Sequence, residues 1–546
     1  MKNINPMEKN RINGYFWVFG GLLCVLLVSI MARDIDRHFT GLHSLGHAHD
    51  AWVARSHLNY GLGYTKGFNT FAVGHPPAEK PSRYLNHPQL FALFDSAAMA
   101  VFGVNEWALR TAGIMMAVVT LVIFLKILKG LVDHQIAILA ALLFALFPLT
   151  GYFGVGRWMF PLSLWAIWCY LVLIGALKDG PDATRFHKWT LAISLFLILQ
   201  LSWEGFFFAL AIGVHYVFRC IRRKQLPDKI LLGILIIAPV SSLMLDFAII
   251  ASGHGWDFQR IIELYKWRAG KGEMGEFNWG RWFARFWEFA VMNFTLPVLI
   301  LAIGYFTLGQ LYVFASKDSK GEKKITSRRF PQFWLFLLPG VFQLLLLKGT
   351  LWMHHYWERP LAPFIAIAAA LGIVIIADIL TKIRPLLAKI STAVLVLIIT
   401  ISCAKGLNYY RNISHFSRAK VKLFKMLNER IPPDKGLLSF ESLIFDQHSA
   451  KESSYRPEVA WYLDREIVQA RTVSEIEKQA RTGRFPYYLM PGTYYNRETS
   501  AYLTKLSNEL QQRYKMTYIP PDSGGPGRAP MLPYFIFELS SAPSNK

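Results

Sequence analysis

Residues 102–130 read FGVNEWALRTAGIMMAVVTLVIFLKILKG, and this stretch decides the class of protein. Its centre is mostly apolar over about twenty residues, the length that an α-helix needs to cross a hydrocarbon core of roughly 30 Å. Glu106 and Arg110 precede the apolar centre, and Lys126 and Lys129 close it. Charges at both ends of one long apolar run predict a membrane-spanning helix.

Further apolar runs on both sides of this stretch repeat the pattern. The chain has 546 residues and is 53% hydrophobic, which excludes an ordinary soluble enzyme. We therefore predict an all-α membrane bundle of about eleven helices. The predicted spans are about 16–31, 107–128, 135–152, 158–177, 188–203, 205–219, 230–252, 289–314, 331–350, 360–380 and 386–405. The apolar stretch at 88–103 is too short to cross and predicts an interfacial helix.

Positive charge decides the orientation of the bundle. A formal net charge of +23 would suggest nucleic acid in a soluble protein, but here the basic residues lie mainly in short connections between apolar runs. Such clusters are orientation signals beside anionic lipid, so no nucleic-acid partner is expected. Lys2, Lys9 and Arg11 place the N-terminus in the cytoplasm. The first outer loop (32–106), a Trp-rich loop (253–288) and the C-terminal region then face outward.

The C-terminal region differs in composition from the rest of the chain. From about residue 407 hydropathy falls, and helix-like stretches alternate with five short strand-like runs, GLLSF, EIVQA, PYYLM, KMTYI and YFIFEL. This alternation predicts a soluble α/β domain over 407–546 with a small, mostly parallel sheet, beside a transmembrane domain over 1–406. No nucleotide-binding motif is present in it.

The first outer loop holds the candidate catalytic carboxylates. Asp36 follows the first span, and Asp50 lies near the start of a short predicted helix that also carries Arg55. A carboxylate at a helix start also satisfies backbone N–H groups, so capping is the alternative for Asp50. Several histidines share the loop, but their spacing is not that of a metal site, and no metal is expected.

Other polar residues stand at the outer ends of predicted spans, where charge near the membrane is expensive and often functional. An arginine there binds headgroups or a phosphate. Lys348 ends a long apolar run, which favours a partner anion. These candidate phosphate- and substrate-binding residues are Arg55, His87, Arg110, Arg157, Lys348, His355 and Tyr356.

The order of these motifs resembles the GT-C glycosyltransferases of the protein O-mannosyltransferase and lipid A aminoarabinose transferase group. The family's HPPL pattern is similar to His87, Pro88, Gln89 and Leu90, and its LFG and E-W-A-x-R patterns are similar to Phe102, Gly103, Glu106, Trp107, Ala108 and Arg110. Its I-A-R pattern is similar to Val53, Ala54 and Arg55. The resemblance covers the membrane part of the chain.

The resemblance implies transfer of a sugar, with inversion, from a polyprenyl phosphate carrier to a lipid, glycan or protein acceptor outside the cytoplasm. One departure is that Gly46 and His47 stand where the family has an acidic pair. We therefore predict Asp50 as the general base with Asp36 as its rival, and cationic side chains in place of a metal at the leaving phosphate. No cofactor is expected.

Two other functions are compatible with the same sequence features. A secondary transporter would show broken helices near the midplane and paired repeats, whereas the polar residues here cluster at outer ends. An inactive GT-C-like scaffold is the second alternative, because the acidic pair is missing. The Trp-rich loop is either a lid over the carrier or an interfacial aromatic belt. A bacterial inner membrane is the expected location, although an endoplasmic reticulum protein would show the same pattern.

Overall fold

The computed structural model describes most of the chain. The described residues are 6–84, 87–154, 158–178, 180–254, 259–271, 277–309, 325–352, 354–441, 456–493, 497–521 and 531–539. The chain divides into two compact units. Unit 1 contains residues 1–35, 86–91 and 110–409, and unit 2 contains residues 36–85, 92–109 and 410–546. The predicted boundary at residue 406 differs from this division, because two segments of the first outer loop belong to the unit that contains the C-terminal region.

Helices dominate the chain as far as residue 412. The helices that lie wholly or mainly in unit 1 are α1 (Pro6–Ala32), α4 (Glu106–Leu131), α5 (His134–Leu146), α6 (Pro148–Phe153), α7 (Met159–Leu173), α8 (Arg185–Leu201), α9 (Gly205–Arg223), α10 (Lys229–His254), α11 (Gln259–Arg268), α12 (Trp279–Phe294), α13 (Leu296–Gly304), α14 (Ile325–Leu346), α15 (Ala362–Ile383) and α16 (Pro385–Asn412). Short 3-10 turns cover Lys348–Trp352 and Arg359–Leu361.

Six described helices are long and apolar enough to cross a membrane. They are Asn13–Ala32, Glu106–Leu131, Gly205–Arg223, Lys229–Ser252, Arg359–Ile383 and Pro385–Asn412. A seventh span results if α12 and the helix after it count as one, although they meet at an angle of 106°. The segments predicted at 135–152, 158–177 and 331–350 contain shorter apolar helices, so the number eleven stays a prediction. The short helix predicted at 88–103 is confirmed as α3 (Leu90–Phe102).

Small side chains allow helices of unit 1 to approach closely. Helix α15 carries the run AIAAALG over residues 366–372, and residues 365–373 are all buried. A Cβ atom at Gly372 would lie 2.7 Å from the carbonyl oxygen of Leu301 in α13. Such contacts suit a membrane, where close backbone approach rather than apolar burial drives helix association.

Unit 2 combines outer-loop helices with a mixed sheet. Its elements are α2 (Ser44–Thr65), α3, α17 (Arg418–Arg430), α18 (Pro457–Leu463), α19 (Val473–Ala480) and α20 (Arg497–Gln511), with strands β1 (Thr70–Phe71), β2 (Ser82–Arg83), β3 (Leu437–Ser439), β4 (Ile467–Gln469), β5 (Tyr487–Pro491), β6 (Lys515–Ile519) and β7 (Tyr534–Glu538). All five strands predicted in the C-terminal region are present, in the order β4-β3-β5-β7-β6.

The sheet is parallel in only one half. Strand β3 pairs in parallel with β4 and β5, whereas β7 pairs antiparallel with β5 and β6. The expectation of a mostly parallel sheet is therefore wrong. The segment between β6 and β7, PPDSGGPGRAPMLP, is rich in Pro and Gly and contains no helical pattern. A parallel return usually runs through a helix, which this composition does not favour, so the antiparallel return agrees with the sequence.

Helix α2 of the first outer loop is anchored to α18 at two places. The hydroxyl of Ser44 donates to Oε1 of Glu458 at 2.8 Å, and both side chains are buried. The guanidinium of Arg55 donates to the carbonyl oxygens of Ala460 and Trp461, both at 2.8 Å. It also lies 2.9 Å from the Asp464 carboxylate. Arg55 thus donates to two carbonyl groups at the end of a short helix, and the Ala460 carbonyl also accepts the Asp464 backbone N–H.

Replacing Arg55 should destabilise unit 2. Arg55→Ala leaves the nearly buried Asp464 carboxylate without its partner and the Trp461 carbonyl without the Arg55 donor, so we expect a loss of about 3–5 kcal/mol in unfolding free energy. Thermal unfolding of the detergent-solubilised protein, followed by size-exclusion chromatography, measures the shift. Arg484→Ala is the matched control, because its pair with Glu466 is exposed and worth at most about 1 kcal/mol. Equal small shifts in both variants would show that the Arg55 contacts carry little stability.

Candidate functional site

Two backbone turns in unit 1 lie against each other without room for a side chain between them. A Cβ atom at Gly349 would lie 2.6 Å from the carbonyl oxygen of Trp267 and 2.9 Å from that of Arg268. Gly270, which follows α11, has φ +78, a conformation that favours glycine. This close approach brings Lys348, the neighbour of Gly349, beside the end of α11.

The Lys348 ammonium group lies among aromatic rings. Its Nζ atom is 3.9 Å from the ring centroid of Phe277 and 4.9 Å from that of Trp279. The indole N–H of Trp282 donates to the Lys348 carbonyl at 3.0 Å and holds this turn. Within the described ranges, no carboxylate forms an ion pair with Lys348. A half-buried ammonium held by ring faces keeps its charge available for an anion.

Arg268 adds a second cation at the end of α11. Its side chain is buried, with only 9% of the residue exposed, and its Nη2 atom lies 3.3 Å from Nε2 of His87. The motif that the sequence placed at the start of the interfacial helix therefore contacts an arginine of the Trp-rich loop. Guanidinium groups suit phosphate because their fork of N–H donors matches its oxygen atoms.

The turn that precedes α15 supplies the histidines and the tyrosine. The pKa of His354 is lowered to about 3, mainly by burial and in part by the neighbouring Arg268, Arg359 and His355 side chains. His354 is therefore neutral at physiological pH. The guanidinium groups of Arg268 and Arg359 thus act on this imidazole in the same direction as burial.

Two polar contacts hold this turn in place. The guanidinium of Arg359 pairs with both carboxylate oxygens of Glu204, with Nε 2.8 Å from Oε2. Asn293 donates to the His355 carbonyl and to Oε2 of Glu358, each at 2.6 Å. Burial raises the pKa of the Glu358 carboxyl well above its usual range. The two acidic residues thus fix the turn, and neither cancels the charge of Lys348.

The predicted site residues fall into two groups. His87, Arg110, Lys348, His355 and Tyr356 lie in unit 1. Of these, His87 contacts the Arg268 side chain, and Lys348 lies beside Gly270. Arg110 donates to the Ile35 carbonyl at 2.9 Å. Asp36, Asp50 and Arg55 lie in unit 2, and Arg157 lies outside the described residues.

The two carboxylates differ in their surroundings. Helix α2 begins at Ser44, so Asp50 lies in its second turn and does not cap it. Asp50 is half-buried and makes contacts of its own. Asp36 is exposed, in the turn after α1, and has no hydrogen bond or ion pair within the described part of the chain. Arg55 uses its donors on unit 2, which favours a structural role for it.

Sequence reasoning did not select Arg268 as an anion-binding residue. It was one of several basic residues in a loop whose composition suits an aromatic belt. The sequence nevertheless contains an indication of this role, because in the motif WRAG the arginine stands two residues before Gly270, where the chain turns. As for metals, no group of three or more His, Cys, Asp or Glu side chains is arranged to hold an ion in the residues that the structure describes.

Loss of stability in mild acid should depend on His354. The unfolded chain takes up a proton on this residue near its ordinary pKa of 6.5, whereas the folded chain does so only near 3. Stability is therefore complete above about pH 6.5 and falls toward pH 3, by at most about 1.4 kcal/mol per pH unit. As the pH is lowered from 7.5 to 4.5, the melting temperature of His354→Asn should fall less steeply than that of the wild type. Parallel curves for the two proteins would refute this assignment.

The fold is shared with known membrane enzymes. No family model and no curated protein matches the chain. It resembles ArnT from Cupriavidus metallidurans bound to undecaprenyl phosphate, with 11% identity, a TM-score of 0.55, and coverage of 96% of this chain and 98% of ArnT. It also resembles the archaeal oligosaccharyltransferase AglB from Archaeoglobus fulgidus in complex with an inhibitory peptide and a dolichol-phosphate, with 12% identity, a TM-score of 0.53, and coverage of 96% and 74%. Both are GT-C enzymes, so the GT-C fold expected from the sequence is confirmed, and the chain is a multi-pass membrane protein.

Proposed function

We propose that this protein is a membrane glycosyltransferase that takes a sugar from a polyprenyl phosphate carrier and transfers it to a lipid, glycan or protein acceptor. The observation that carries the proposal is the cationic cluster of unit 1, defined here as His87, Arg268, Lys348 and His354. It combines the Lys348 ammonium group, which has no carboxylate partner among the described residues, with the buried Arg268 side chain on the adjoining turn. The GT-C fold and the carrier lipids bound by ArnT and AglB support it.

The cluster would act on the leaving phosphate. As the bond between the anomeric carbon and the phosphate oxygen breaks, negative charge grows on the carrier phosphate. Fixed cations lower the energy of that charge, and one donor of this kind is commonly worth about 10²–10³ in rate. Arg268 and Lys348 supply the charge, and His87 and His354 supply imidazole nitrogens that orient the phosphate. His355 and Tyr356 lie on the same turn and would contact the sugar.

An apolar groove in unit 1 suits the tail of such a carrier. It has a volume of about 580 Å³ and lies between α9 and α10. Its lining is apolar along the length of α9, from Phe206 to Ile221. Helix α9 begins at Gly205, directly after Glu204, which binds the Arg359 side chain near the cationic cluster. An isoprenoid chain in this groove would therefore begin close to the phosphate.

The proposed orientation follows from charge. With about eleven spans, every basic cluster between spans faces the cytoplasm. The C-terminal region, the first outer loop and the turn that carries His355 then face the extracytoplasmic side. We propose a bacterial inner membrane for this arrangement. Catalysis without a metal is part of the proposal, because arginine and lysine can provide the charge that a divalent ion would otherwise supply.

Loss of Lys348 should block use of the carrier. Lys348→Gln keeps most of the side-chain length but removes its charge, and we expect transfer to fall about 10²–10³-fold. The readout is mass spectrometry of lipids and surface glycans from deletion cells complemented with each variant. Deletion and Lys348→Gln should both accumulate a polyprenyl phosphate sugar and lack one glycan residue. Lys271→Gln, exposed in the same loop, is the matched control and should restore both.

Two outcomes would count against this function. Normal glycans with Lys348→Gln would remove the cationic cluster from the mechanism. If neither the lipid nor the glycan changes on deletion, although the protein is expressed and folded in wild-type cells, the protein does not transfer a sugar. The protein would then be an inactive GT-C-like scaffold or a transporter.

Filling the groove should weaken binding of long-chain carriers only. A Cβ atom at Gly213 in α9 would have no neighbour within 4 Å, so Gly213→Leu places a side chain in the groove without a clash. Displacing even one isoprene unit should raise KM for a long-chain donor at least about tenfold. A two-isoprene donor should react as with the wild type. Gly21→Leu in α1, equally open, is the control, and an unchanged long-chain KM in Gly213→Leu would place the tail elsewhere.

A further inference from the structure

A histidine and a carboxylate form a close pair in unit 2, apart from the residues of the cationic cluster. Nδ1 of His38 lies 2.9 Å from Oε1 of Glu106. His38 belongs to the turn after α1, and Glu106 begins α4. The His38 side chain is 41% exposed, whereas that of Glu106 is only 14% exposed. The carboxylate is therefore shielded and the imidazole is open to solutes.

The position of the imidazole ring is further restrained by α18. The ring of Tyr462 packs edge-on against it, with centroids 5.8 Å apart. The Tyr462 hydroxyl in turn accepts a hydrogen bond from the Phe39 backbone N–H at 2.6 Å. The residue next to His38 is thus held by the same tyrosine. Such support distinguishes the pair from two surface side chains that meet only by chance.

This geometry has a defined chemical consequence. A carboxylate at Nδ1 favours the tautomer that carries its proton there, which leaves the lone pair on Nε2. Enzymes use this arrangement, a base oriented by a second acid group, to remove a proton from a hydroxyl nucleophile. With Glu106 on the shielded side of the ring, Nε2 is the nitrogen available to a substrate.

The transfer reaction needs such a base. The positions where the GT-C group has its acidic pair are Gly46 and His47 in this chain. Asp50 is half-buried within α2, and Asp36, although exposed, has no group that orients it among the described residues. The His38–Glu106 pair has both an accessible nitrogen and an orienting carboxylate.

We propose that His38, oriented by Glu106, is the general base that deprotonates an acceptor hydroxyl, an inference that rests on the proposed function. Nε2 takes the hydroxyl proton while the acceptor oxygen bonds to the anomeric carbon. The bond between that carbon and the phosphate oxygen breaks, and its electron pair leaves on the carrier phosphate. The imidazolium then loses its proton to water. His38 is a catalytic residue in this scheme, and Glu106 is a positioning residue.

Several charged groups surround the pair. Glu106 faces the imidazole from α4, and Tyr462 faces it from α18. Lys425 of α17 lies with Nζ 5.6 Å from the Tyr462 ring centroid and acts electrostatically on Glu106. On the turn itself, Asp36 is exposed, and Arg37 donates to the Arg411 carbonyl instead of pairing with His38. Glu106 is thus the charge in direct contact with the ring.

Replacement of His38 by Asn and by Gln tests the proposal with purified protein in detergent. The Asn amide can occupy the place of Nδ1 and keep the bond to Glu106, but it provides no base at Nε2. We expect kcat to fall about 10²–10⁴-fold in both variants, with the donor KM within about twofold of the wild type. A merely structural pair would leave kcat intact in His38→Asn. Melting temperatures verify that each variant is folded.

Glu106→Gln gives an independent readout if the His38 variants fold poorly. Removing the carboxylate takes away the group that orients the imidazole, so kcat should fall while the donor KM stays within about twofold of the wild type. Wild-type kcat in folded Glu106→Gln or in folded His38→Asn would overturn the proposal. Loss of transfer in Asp50→Asn or Asp36→Asn with His38→Asn active would overturn it in favour of that carboxylate. Absence of transfer by the wild type with any polyprenyl donor would instead overturn the proposed function.

Discussion

The steric contact between the Lys348–Trp352 turn and the end of α11 is the constraint on which the candidate site depends. Backbone atoms of Trp267 and Arg268 occupy the volume that any side chain at Gly349 would need. Two cationic residues that are eighty positions apart in sequence are therefore neighbours through backbone contact. Among the residues that the structure describes, no carboxylate forms an ion pair with Lys348, so its charge is not neutralised there.

A cationic side chain near a membrane needs a stabilising neighbour when no substrate is bound. Unit 1 shows two different solutions. Arg359 pairs with both oxygens of Glu204, which makes it a structural cation. Lys348 instead rests on Phe277 and Trp279, whose ring faces attract the ammonium group without forming a salt bridge. The aromatic residues of the Trp-rich loop therefore contribute directly to the site, whether or not the loop also lies in the interface.

Sequence reasoning succeeded where the signal was local and failed where it depended on pairing across the chain. The strands near Leu437, Ile467 and Tyr487 were predictable from composition and turns, as was α3. Lys348 was predictable because a charge after a long apolar run needs an explanation. Arg268 was not, because its role depends on the distant Gly349. The predicted start of α2 lay close to Asp50, whereas the helix begins at Ser44, because nothing in the sequence shows that Glu458 anchors Ser44.

Because α2 is anchored to α18, the C-terminal region also has a structural role in the first outer loop. A domain boundary at residue 406 would leave the first outer loop to be shaped by the membrane helices alone. In the structure, Arg55, the I-A-R arginine of the GT-C resemblance, is bound to Ala460, Trp461 and Asp464, and Ser44 is bound to Glu458. The helix that carries Asp50 therefore owes its position to residues four hundred positions later. From the sequence alone, Arg55 looks like a phosphate ligand. In the structure it instead attaches the first outer loop, which holds the candidate bases, to the C-terminal region.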